Sequence, residues 1–144
     1  MKYSLILAIL MILGFTHGYK PIDAKNGHNV LMQLESGDHE IYVIMFYSQG
    51  AIGSDIANIN DEYERALISQ VLDKNDNFYY AKIDAKNPEF DELILSTEIV
   101  VNELEKSPSI LIIENSKGVW IHGPETVAKI GEFAELYKKR NQKK

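Results

Sequence analysis

The chain has 144 residues, a formal net charge of -6 and no cysteine. That length fits one domain with one modest core. The absence of thiols excludes disulfides, thiolate metal sites and thiol–disulfide exchange by the protein's own side chains. The acidic residues run from Asp23 to Glu135, whereas Lys138, Lys139, Arg140, Lys143 and Lys144 gather at the end. No basic stripe with interleaved aromatics exists, so a nucleic-acid partner is not expected. The basic tail, residues 141–144 with the lysines and arginine before it, suits the negative end of a helix dipole.

Met1-Lys2-Tyr3-Ser4 carries one lysine ahead of the apolar run Leu5–Phe15, and Thr16-His17-Gly18 offers a cut before Tyr19. This pattern predicts a secretory signal over residues 1–18. The run is short for a membrane span of ~20 residues, and an N-terminal anchor through residues 5–15 is the alternative. The expected location is the secretory pathway, in the lumen of the endoplasmic reticulum or outside the cell; the anchor reading puts the protein on a membrane. No Asn-x-Ser/Thr acceptor occurs anywhere.

Asn29–Glu35 reads as a short helix, with Val30, Leu31 and Leu34 on one face and Gly37 as its stop. Ile41–Ser48 is an apolar run of the kind that forms a central strand. Gln49–Ser54 is a small-residue loop. Ala57–Leu72 has apolar residues at helical spacing, and Asp73–Asn77 is a turn. Phe78–Asp84 reads as the next strand, and Pro88 suits a helix first turn. Ser107-Pro108 breaks the chain before a strand at Ile110–Glu114. Asn115-Ser116-Lys117-Gly118 is a hairpin-type turn, with Val119–His122 as its return strand. Gly123-Pro124-Glu125-Thr126 opens the last helix. Early strands joined through helices imply a parallel core, and the late hairpin adds antiparallel strands at one edge.

The local motifs resemble the thioredoxin superfamily, and most closely the domains of protein disulfide isomerases. The resemblance spans Val30 to Lys139 and rests on five segments in order: Val43-Ile44-Met45-Phe46-Tyr47-Ser48, Asp61-Glu62-Tyr63-Glu64-Arg65-Ala66, Ala81-Lys82-Ile83-Asp84, Ser107-Pro108-Ser109-Ile110-Leu111 and Gly123-Pro124-Glu125-Thr126. It implies a thioredoxin-like domain over residues 19–140: a three-layer α/β/α sandwich around a central mixed β-sheet. It also marks what is missing. The family's two cysteines match positions near Ala51 and Ser54, in a loop that is about two residues longer here. The buried acid that takes protons in catalytic members matches Met45, and a thioether cannot take that proton.

The resemblance further implies a cis bond at Ser107–Pro108. It also implies a polypeptide-binding groove made by Gln49, Gly50, Ala51, Ile52, Gly53 and Ser54 together with Ser107 and Pro108. The expected function is therefore binding of polypeptide or a partner protein without catalysis. The alternative is an accessory or structural subunit of a larger, membrane-anchored complex. No catalytic residue, cofactor or metal is expected. Ser54 has no histidine near it in sequence to activate it. Asp73, Asn75, Asn77 and Asp84 fall at calcium-loop spacing, but Phe78 stands where such a loop needs glycine. His28, His39 and His122 are scattered without metal spacing.

Overall fold

The structure is a computed structural model that describes residues 18–143. The signal or anchor over residues 1–18 therefore lies, except for Gly18, outside the described residues. Five strands form one sheet: β1 (Lys20–Pro21), β2 (Ile41–Tyr47), β3 (Tyr79–Asp84), β4 (Ser109–Glu114) and β5 (Lys117–His122), in the order β1-β3-β2-β4-β5. β3 runs parallel to both β1 and β2. β4 is antiparallel to β2 and to β5. The helices among the described residues are α1 (Gly27–Leu34), α2 (Ile56–Gln70), α3 (Asp91–Thr97) and α4 (Thr126–Asn141).

Both faces of β2 are buried, which is why its sequence is apolar without alternation. Tyr42, Ile44 and Phe46 pack with Val30 and Leu34 of α1 and Leu93 and Ile94 of α3. Ile41, Val43 and Met45 pack with Leu67 of α2 and Ile130 and Ala134 of α4. The result is the expected three-layer α/β/α sandwich with a mixed sheet.

Local chemistry shifts several boundaries. α1 starts earlier than its apolar spacing suggests, because the Asn26 side chain accepts the Asn29 amide at 2.8 Å and caps the helix. Pro88 begins a 3₁₀ turn, Pro88–Phe90, that leads into α3. The hairpin turn is tighter than expected. Asn115 and Ser116 alone make it, both left-handed at φ 56° and 61°, and Lys117 and Gly118 already belong to β5. Gly118 is required there, since a Cβ would come within 2.5 Å of the Ile112 carbonyl oxygen.

One expectation is overturned. The described residues contain no cis peptide bond, so Ser107–Pro108 is trans. The chain leaves a 3₁₀ turn, Val101–Glu105, and Ser107 N–H reaches back to the Glu103 carbonyl at 3.5 Å. Pro108 then stands just before the first residue of β4, where a missing amide donor interrupts no ladder bond.

Candidate functional site

β2 delivers the chain into the Gln49–Ser54 loop, and α2 receives it. Four contacts hold the loop. Gly50 N–H donates to Ser48 Oγ at 3.2 Å, and Gln49 Nε2 donates to Asp84 Oδ2 at 3.2 Å. Asn60, buried on α2, donates to the Ser48 carbonyl at 2.9 Å. Ser54 N–H donates to the Ala51 carbonyl at 3.1 Å, closing a turn in which Gly53 has φ 82°. That value is what the third position of a type II turn demands. Ala51 and Ser54, the positions matched to the family's cysteines, are both exposed at the ends of this turn. Ile52, at its tip, is fully exposed (107%). α2 begins only at Ile56, and its cap residue Asp55 makes no side-chain hydrogen bond to the first turn. First-turn amides of α2 without a side-chain cap therefore follow an exposed apolar side chain.

Ser107 and Pro108 lie at the same end of the sheet, because Phe46 pairs with Ser109 across β2 and β4. Unlike the loop, both are buried. The Ser107 amide, expected to be free for an incoming chain, is already used by the Glu103 carbonyl.

A cluster not foreseen from sequence surrounds this turn. Ser109 pairs with His122 across the β4–β5 hairpin. His122 Nδ1 lies 3.2 Å from Ser109 Oγ, and its Nε2 lies 3.4 Å from Ser107 Oγ and 3.6 Å from Glu103 Oε2. An acid, an imidazole and a hydroxyl thus stand in the order used by nucleophilic hydrolases. Access decides against that chemistry: Ser109 is 1% exposed and Ser107 8%, so a substrate carbonyl reaches neither hydroxyl in this conformation. The arrangement ties the 3₁₀ turn to the hairpin. Only the strand register brings these residues together, so spacing along the chain carries no signal of it.

Met45, at the position matched to the buried acid, is wholly buried (0% exposed). Its register partners are Lys82 on β3 and Ile110 on β4. Lys82 Nζ donates to Glu64 Oε2 at 2.7 Å and lies 5.0 Å above the Tyr47 ring. Tyr80 hydroxyl donates to Glu64 Oε1 at 2.9 Å. Burial first, and then the Glu64 charge beside it, raise the Tyr80 phenol far above the usual tyrosine range. Both Glu64 oxygens are thereby engaged. Glu64 therefore serves Lys82 and Tyr80 and not the loop.

The remaining candidates separate. Asn75 is buried and donates to the Val71 carbonyl at 2.6 Å, while Asp84 receives Gln49 and the Lys86 amide. The calcium-spaced residues therefore do not share a centre. Among the described residues no group of histidine and carboxylate side chains is arranged to hold a metal ion. Among them, too, no helix is long and apolar enough to cross a membrane.

No protein-family model matches the chain, and no curated protein matches it in sequence. Solved structures match its fold. The chain is similar to a reduced thioredoxin pre-protein of Schistosoma mansoni, with 18% identity and a TM-score of 0.55 over 82% of this chain and 98% of that one. It is similar to Fasciola hepatica thioredoxin at 15% identity and TM-score 0.54, over 82% of this chain and 98% of that one. Thioredoxin f of spinach chloroplast gives 17% identity and TM-score 0.54, over 83% of this chain and 93% of that one. At these identities the likeness is one of fold. The fold is thioredoxin-like, and the chain that adopts it has no cysteine.

Proposed function

We propose that this cysteine-free thioredoxin-like domain works in the secretory pathway by binding an extended polypeptide or a partner protein, without redox chemistry. The observation that carries the reading is Ile52. It is a fully exposed β-branched residue at the tip of a turn that is held by its own hydrogen bonds. That turn position accepts most residue types, so folding does not ask for isoleucine there. A fixed apolar side chain beside uncapped helix amides suits a peptide, which offers apolar side chains and carbonyl oxygens together. Gln49–Ser54 supplies the exposed contact surface. Ser107 and Pro108 contribute from below, through the Ser107 carbonyl, to which no described residue donates a hydrogen bond. The secretory setting rests on the Leu5–Phe15 run.

The test is a chemical-shift titration of the labelled protein with a permanently unfolded polypeptide. Shifts clustered at Gly50–Ser54, saturating at micromolar or weaker affinity and lost in Ile52→Ser, are expected. Unmoved resonances in that loop would overturn the reading.

A second reading has its own observation. Lys20 pairs with Tyr79 at the start of β3, so the chain enters at the end of the sheet opposite the loop. An anchor through residues 5–15 would leave the loop facing away from the membrane, as an accessory subunit of a membrane complex requires. Mass determination of the mature N-terminus separates the two: a start at Tyr19 favours the soluble protein, and a retained Met1 with membrane partitioning favours the anchored subunit.

A further inference from the structure

At the end of the sheet away from the loop, Glu114 closes β4 on the face it shares with Ile110 and Ile112, beneath the last turns of α4. It is 9% exposed. Its carboxylate makes no hydrogen bond or ion pair with any described residue. Its oxygens are not sealed in the core, so the carboxylate opens into the space beside α4. Partners are near and do not close on it. Lys117 is its register partner across the hairpin, a position where opposite charges commonly interact. Arg140 lies over the Tyr137 ring at 5.5 Å instead. The Tyr137 hydroxyl donates to the Lys117 carbonyl at 3.4 Å; burial raises that phenol, with Arg140 lowering it and the Glu114 charge adding a smaller upward push.

Between these groups is a cleft of about 380 Å³, lined by Glu114, Asn115, Lys117, Tyr137, Arg140 and Lys143. The basic end of α4 has an ordinary use, complementing the helix dipole. Lys138, paired to Glu135 at 3.2 Å, and Lys139 stand on the same last turn for that use. Lys117 comes from another element, and together with Arg140 and Lys143 it lines the cleft with three cations beside a carboxylate that no described residue pairs. A bare anion in this cleft meets Glu114, and a bare amine meets three positive charges. A group carrying both signs satisfies every side. We propose that the cleft binds a small zwitterion whose ammonium reaches Glu114 and whose phosphate or carboxylate reaches Lys117, Arg140 and Lys143. A soluble metabolite and a phospholipid headgroup share that chemistry.

The test is an NMR titration of the labelled full chain with phosphoethanolamine, run beside inorganic phosphate and ethanolamine at matched ionic strength. Phosphoethanolamine should give saturable shifts at Glu114–Lys117 and Tyr137–Lys143. Phosphate should bind about tenfold more weakly, the equivalent of one charge-assisted hydrogen bond. Glu114→Gln should erase that preference, and Arg140→Gln should weaken both ligands. If Glu114→Gln does not fold, the ratio of the two affinities in the unsubstituted protein decides alone. Equal response to phosphate and phosphoethanolamine, or no saturable shift at the cleft, overturns the proposal. Vesicles of phosphatidylcholine with and without phosphatidylethanolamine separate the two sources. Their binding is read as the loss caused by Glu114→Gln, so that any contribution of Leu5–Phe15 cancels. A loss specific to phosphatidylethanolamine identifies a headgroup site, and no such loss alongside phosphoethanolamine binding identifies a soluble ligand.

Discussion

The layer beneath the Gln49–Ser54 loop and the loop itself stand where the resemblance puts an acid and two thiols, and they respond differently to having neither. In the buried layer, Met45 is sealed by its neighbours, and Lys82 and Tyr80 both turn to Glu64 of α2. In the loop, Ala51, Ile52, Gly53 and Ser54 all face solvent. A buried side chain must be packed and its polar neighbours satisfied, whereas an exposed loop residue carries neither demand. Substitutions in the layer should therefore act on stability, and substitutions in the loop on binding.

Met45→Ala is the largest expected break. Met45 is wholly buried against the α2 and α4 side chains, and such truncations lose about 2–5 kcal/mol. Denaturant unfolding should show a midpoint shift of that size. A loss below about 1 kcal/mol would mean that the layer is loosely packed and the contrast is wrong.

Glu64→Ala should come next. It leaves the buried Tyr80 hydroxyl without its carboxylate acceptor and Lys82 without its nearest partner. The tyrosine part is worth about 1–3 kcal/mol. The ion-pair part is smaller, since both side chains keep about a quarter of their surface in water. Combining it with Tyr80→Phe in a double-mutant cycle should recover a coupling of about 1 kcal/mol. Strict additivity would dissolve the network.

These residues also show how far the sequence could be read. The long apolar run of β2 and the helical spacing of α2 and α4 declare themselves through a strong local pattern, and a hairpin turn within Asn115–Gly118 does too, though not its two-residue length. Lys20–Pro21 does not, because a two-residue strand has no period and exists only by pairing with β3. The Glu64 anchor and the His122 cluster are invisible for a related reason. Glu64 meets Lys82 from the helical layer packed on the sheet, and His122 meets Ser109 through strand register and Ser107 just before that strand. The proline expectation failed where resemblance replaced local physics. A trans proline at a strand entrance breaks no rule of its own, and the Ser107–Glu103 backbone bond already shapes the turn. The loop was legible as a loop, but the full exposure of Ile52 was not, since an apolar residue beside a strand end looks like core.

Alkaline titration sharpens the comparison further. Burial, then the hydrogen bond to Asp38, raises the Tyr42 phenol to about 12. Tyr80 is raised further by burial and Glu64. A folded value above the unfolded one means that the native state holds its proton more tightly. The associated stability is present below about pH 10, the unfolded tyrosine value, and is lost as pH rises through about 12 for Tyr42 and beyond it for Tyr80. Stability should therefore fall with a steepening slope above about pH 10. Tyr80→Phe should flatten that slope, and tyrosinate absorbance should show Tyr42 and Tyr80 ionising after the other tyrosines. A slope unchanged in both Tyr80→Phe and Tyr42→Phe would place the titrating groups elsewhere.

Ile52→Ser is expected to change stability least of all, and that small number carries the comparison. Its side chain buries nothing, so no apolar area is lost from the fold. The turn stays, because it depends on Gly53 at φ 82° and on the Ser54–Ala51 backbone bond, not on the residue between them. Unfolding free energy should move by less than about 0.5 kcal/mol, the range of surface substitutions away from special features. Gly50→Ala is the control from the same loop: its new Cβ would run into the Ile56 side chain where the loop meets the core, and its φ of 71° is strained for alanine. If Ile52→Ser destabilises as much as Gly50→Ala does, Ile52 is a folding residue that packs in solution, and the loop loses its claim as the binding face. If it leaves stability alone while polypeptide binding falls, the exposed isoleucine is kept for contact.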